Sequence, residues 1–117
     1  MLEAMFDSEV YLPHLLVPDS MPKERIPRTA FRRCVKCMNL AHVIVADIEV
    51  YGKDTAWEIG YCYQLGKPII GYTENEHYRA DFMVRGALVH IARSPRSLGT
   101  LIEKLTGRKQ RGRNRRR

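Results

Sequence analysis

The sequence predicts an α/β domain in which a parallel β-sheet carries helices on its faces. Three observations predict it. The chain has 117 residues, the length of one domain. The run from His42 to Ile48 is dominated by valine, isoleucine and alanine, as a strand buried on both faces requires. Strand-like and helix-like segments then alternate along the chain, the pattern of a doubly wound sheet.

The elements follow in order. Leu2 to Phe6 reads as the end of a helix, and Glu9 to Leu12 as a short strand stopped by Pro13. Leu15 to Ile26 contains Pro18, Asp19, Ser20 and Pro22, which mark a loop. Pro27 suits a first helical position, and Phe31, Cys34, Val35 and Met38 recur at helical spacing to about Leu40. After the His42–Ile48 strand, a helix over Asp54 to Leu65 stops at Gly66, a residue that can adopt the left-handed conformation of a C-cap. Pro68 to Tyr72 is the next strand. Thr73 to Ala80 is polar, and Asp81 to Val84 has room for one helical turn. Ala87 to Ile91 reads as a strand. Ser94-Pro95 opens a final helix with Leu98, Ile102 and Leu105 on one face, closed by Gly107.

Charge is distributed unevenly. Of twenty Lys and Arg residues, seven lie in the last eleven residues, which contain no acid. The remainder carries thirteen basic residues against thirteen acidic ones, so the domain, residues 1–106, is expected to be neutral overall and to lack a basic binding face. Residues 107–117 read as a disordered basic tail, with non-specific nucleic-acid binding through Arg108 to Arg117 as the functional alternative. No apolar run approaches the ~20 residues that span a bilayer, so no membrane role is expected. Three cysteines without a secretion signal point to reduced thiols and a cytoplasmic location. Cys34-Val35-Lys36-Cys37 is a C-x-x-C spacing inside a helical pattern, with no second ligand pair, and reads as buried thiols; no metal site is expected.

The segment Gly52-Lys53-Asp54-Thr55-Ala56-Trp57-Glu58-Ile59-Gly60 carries the chemistry. It places Glu58 in the first turn of a helix at the carboxyl end of a strand, where open parallel sheets bind their ligands. Thr55-x-x-Glu58 also fits a capping box, in which Glu58 only accepts a backbone N–H. Together with Ala41-x-Val43-Ile44-Val45-Ala46-Asp47 and Leu65-Gly66-Lys67-Pro68-Ile69-Ile70, this segment resembles the nucleoside 2-deoxyribosyltransferase family, which includes nucleoside 5'-monophosphate N-glycosidases. The resemblance implies a flavodoxin-like or Rossmann-like single domain. It also implies cleavage or transfer at an N-glycosidic bond with Glu58 as nucleophile, a nucleoside or nucleotide substrate, no cofactor, and a homodimer or larger homo-oligomer.

The family pattern is altered around that glutamate. Gly52 stands where the transferases carry Asp and the monophosphate glycosidases Ser. Asp54 replaces Gly, Arg33-Cys34 replaces an Arg-Asp pair that supplies an acid/base group, and Asp81 replaces an Asn or Ser given by a neighbouring subunit. Asp47, at the carboxyl end of its strand, is a candidate for a ribose hydroxyl or for capping its own loop. Asp54, four residues before Glu58, is a candidate partner carboxylate or an N-cap. Tyr11 is a candidate for stacking a base or for the core, whereas Trp57 and Tyr61 read as packing on the sheet. The family's first strand, central in its sheet, has no match before Met1-Leu2-Glu3. The Val10 strand is therefore expected to shift against the His42 strand or to pair poorly, leaving an open pocket and weak or no activity. A non-catalytic nucleotide binder is the alternative function.

Overall fold

The computed structural model describes residues 20–49, 52–78 and 81–107. A 3-10 turn, Lys23–Arg25, leads into α1, Ile26–Leu40. Then come β1 (Ile44–Asp47), α2 (Lys53–Gln64), β2 (Ile69–Tyr72), α3 (Phe82–Ala87), β3 (His90–Ala92) and α4 (Pro95–Thr106). The strands form a parallel sheet in the order β1-β2-β3, with Ile44 opposite Ile69 and Ile70 opposite His90. The expected parallel α/β architecture is present. The expected helix end at Leu2 to Phe6, the Val10 strand with Tyr11, and the basic tail lie outside the described residues.

The central strand divides the core. Ile69 and Ile70 are adjacent, so their side chains point to opposite faces of the sheet, and both are fully buried. Ile69 joins Met38, Ala46, Ile48, Ile59, Cys62 and Val84 beneath α1, α2 and α3. Ile70 joins Ala92 and Leu98 on the other side, with Leu101 and Ile102 of α4. Gly71 follows them, and a methyl group there would lie 2.8 Å from Ile48 Cδ1 and from Leu88 Cδ1. Its lack of a side chain lets the Ile48 and Leu88 chains meet over β2.

Glycine and serine set the helix ends. Gly66 and Gly107 adopt φ of 76° and 75° after α2 and α4, the left-handed geometry in which glycine costs least. Ser94 caps α4: its Oγ accepts the Ser97 N–H at 3.1 Å, while Ser97 Oγ accepts the Ser94 N–H at 3.2 Å. Lys67 closes the other end of α1 by donating from Nζ to the carbonyls of Asn39 and Ala41, each at 2.8 Å. That lysine of the Leu-Gly-Lys-Pro string ties the helix end to the start of β2.

Three sequence expectations shift. The first turn of α1 opens at Ile26, with Pro27 second. The turn expected at Asp81 extends to Ala87, so the next strand begins at His90 rather than Ala87. Leu88 N–H closes the helix on Arg85 O at 3.3 Å. Tyr61 packs against the core beneath α1 and α2, as expected, whereas Trp57 is half exposed. They stack on each other at 5.3 Å and Trp57 meets Phe31 of α1 at 5.4 Å, forming an aromatic ladder along the seam of α1 and α2.

Candidate active site

The loop after β1 and the first two turns of α2 bring most of the expected site residues into one segment. Asp47 ends β1, Gly52 is the N-cap of α2, Asp54 is its second residue and Glu58 its sixth. Because α2 opens at Lys53, Glu58 lies in the second turn, not the first. The Thr55-x-x-Glu58 capping box does not form, and no side chain caps this helix. Asp54 therefore is not an N-cap either. It sits one turn before Glu58 on the same helix face, where side chains four apart are neighbours.

The position of Glu58 decides its electrostatics. Support from the helix dipole fades within the first turn, and Glu58 is beyond it. Partial burial raises its pKa above the ordinary glutamate value, and the neighbouring Asp54 carboxylate raises it further. Glu58 is thus biased toward its protonated form rather than stabilised as an anion by the helix end. Burial also raises the thiol pKa of Cys34 on α1, with Glu58 as the next cause. Cys62, fully buried one turn beyond Glu58, behaves likewise: burial first, then Glu58, with Lys67 opposing. Burial and the nearby Glu58 carboxylate therefore both favour the neutral thiol at Cys34 and Cys62. The C-x-x-C spacing alone did not reveal this relation.

A raised carboxylate pKa has a definite linkage sign. The folded state holds the Glu58 proton more tightly than the unfolded chain does, so this group costs stability as pH rises through its raised pKa. Below the ordinary glutamate value both states are protonated and the cost vanishes. Glu58→Gln is accordingly expected to raise the unfolding midpoint at pH 7 and to leave it unchanged at about pH 3, below both pKa values. Thermal melts of both proteins across that range check it, and equal midpoints at pH 7 contradict the assignment.

The remaining expected residues are spread over the same edge. Asp47 is exposed and its Oδ1 accepts the Glu49 N–H at 3.0 Å, so one of its oxygens already caps the loop. Gly52 has an ordinary φ of −101°, and a methyl group added there meets nothing within 4 Å. Neither backbone nor packing requires glycine at this position. Asp81 precedes α3, which packs against α2, and is exposed.

Sequence reasoning missed a polar rim at the carboxyl ends of the strands. Buried Thr73 donates from Oγ1 to Glu49 Oε1 at 3.1 Å and accepts the Asn75 N–H at 3.1 Å. Tyr72 Oη donates to Glu74 Oε2 at 2.7 Å, and Arg93 Nη1 to the Asn75 carbonyl at 2.6 Å. The available signal was positional: Glu49, Thr73 and Arg93 are the first polar residues after β1, β2 and β3.

A family model described as nucleoside 2-deoxyribosyltransferase matches residues 3–105 of this chain. No curated protein matches it.

Proposed function

Because this chain belongs to the nucleoside 2-deoxyribosyltransferase family, we propose that it cleaves the N-glycosidic bond of a nucleoside or nucleotide with Glu58 as nucleophile. The observation that carries this reading is the pairing of Glu58 with Asp54 at the start of α2, outside the carboxyl end of β1. A Glu58 oxygen attacks the anomeric carbon as the carbon–nitrogen bond breaks, and the base leaves with the bonding electrons and takes up a proton. The glycosyl ester then passes its sugar to a second base or to water, the logic of a retaining glycosidase. Asp54 keeps a second carboxylate beside the reacting sugar. Asp47 through its second oxygen, Gly52 through its backbone, Asp81, and Tyr11 are the proposed substrate contacts.

The nucleophile must be ionised, so its raised pKa bears on rate. The acid limb of kcat/KM falls above the ordinary glutamate range, and activity grows as pH rises through it. The decisive experiment incubates the full chain with a panel of nucleosides and 5'-monophosphates and measures free base by chromatography. Release from at least one substrate is the expected result.

A second reading rests on Gly52, which offers no side chain to the sugar where the family carries Asp or Ser. On that reading the protein binds a nucleotide without turning it over. Saturable binding of the same ligands with no base release establishes it.

We also propose a homodimer or larger assembly in which the segment around Asp81 reaches a neighbour. Phe82 and Met83 beside it are 92% and 87% exposed, and large apolar side chains are enriched in interfaces. Light scattering is expected to give at least twice the monomer mass of 13.6 kDa. A monomer at all concentrations contradicts it.

A further inference from the structure

We propose that the solvent face of α1 binds single-stranded nucleic acid. The neutral total charge of the domain hides a concentrated patch. Lys23 to Lys36 contains six basic residues and one acid, Glu24. Arg25, Arg28, Arg32 and Lys36 follow steps of three or four residues, so they line one side of the helix over about 16 Å. All four are exposed, and none makes an ion pair or side-chain hydrogen bond among the described residues. Arg25, Arg28 and Arg32 share an open surface depression with Thr29 and Glu24. The expectation that the domain lacks a basic face is thereby corrected: it counted charges without placing them.

A second observation selects the polyanion. Phe31, three residues after Arg28, borders the stripe and is 55% exposed; Trp57, next in the aromatic ladder, is 49% exposed. Cations beside accessible rings are what single strands require: guanidinium forks for phosphates and ring faces for bases. A membrane surface fits less well. An interfacial helix buries its apolar face in lipid, but that face of α1, with Cys34, Val35 and Met38, already packs on the core. An acidic peptide would use the charges and leave the rings idle.

The test titrates a fluorescent oligothymidylate of roughly 16 nucleotides into the full chain at several salt concentrations. The variants are Arg25→Gln/Arg28→Gln/Arg32→Gln and, with the same charge change in the tail, Arg113→Gln/Arg115→Gln/Arg116→Gln. The α1 variant is expected to bind at least about tenfold more weakly and to lower the slope of log affinity against log salt by about 2, at about 0.7 per phosphate contact. Phe31→Ala is expected to weaken binding with its slope unchanged, because it removes stacking and not charge. The α1 substitutions are at exposed positions, and unchanged melting curves verify the fold. The proposal is overturned if the α1 variant keeps wild-type affinity and slope, or if the tail variant alone accounts for the salt dependence. It is equally overturned if polyglutamate displaces the oligonucleotide as well as unlabelled oligonucleotide does, or if anionic vesicles bind and the oligonucleotide does not.

Discussion

Glu58→Ala is expected to reduce base release at least about 10³-fold, the scale on which loss of a covalent nucleophile acts. The substitution leaves the fold intact for a physical reason. The Glu58 side chain is partly exposed and makes no hydrogen bond or ion pair among the described residues. Its carboxylate is held against burial and against Asp54, so removing it relieves an unfavourable charge. Activity and stability should therefore move in opposite directions. That split separates a nucleophile from a residue that merely supports α2, whose loss would lower both. Near-full turnover by the variant would exclude Glu58 as the attacking group.

The largest effects on stability are expected at the middle of β2. Ile69→Ala and Ile70→Ala should each cost about 2–5 kcal/mol, the range for deleting a buried isoleucine and leaving a cavity. Each residue is fully buried and central to a different cluster, Ile69 beneath α1, α2 and α3, Ile70 beneath α4. A domain of this kind has only ~5–15 kcal/mol in total, so either substitution consumes a large part of it. Denaturant titration measures both. Losses below about 1 kcal/mol would mean that the sheet is not the shared floor of two cores.

The fold was legible wherever periodicity and punctuation agreed. The apolar runs around Val45 and Ile70 and the stops at Gly66 and Gly107 located two strands and two helix ends within a few residues. The Ala87–Ile91 segment misled because a short apolar run reads alike as strand or as helix end. The sequence singled out Glu58 and its place on α2, but not its environment. The capping box needs Thr55 at the N-cap, but the cap falls three positions earlier, at Gly52, and a string of letters does not fix that boundary. The seam between α1 and α2, with Cys34 beside Glu58 and Phe31 beside Trp57, joins residues more than twenty positions apart. Local pattern carries no information about such pairs. The charge count failed for a related reason, since it summed over a surface whose charges are segregated.

Trp57 is the sole tryptophan of the chain, and it sits one residue before Glu58, stacked on Tyr61 and tilted against Phe31. The intrinsic emission of the protein is therefore a local signal from a single turn of α2. Half-exposed and stacked, the indole will change intensity and colour when water is displaced from that seam or when its neighbours move. Events on the α4 side of the sheet will leave its spectrum nearly untouched. The molecule carries its own dye beside Glu58, Cys34 and Cys62, along the aromatic ladder.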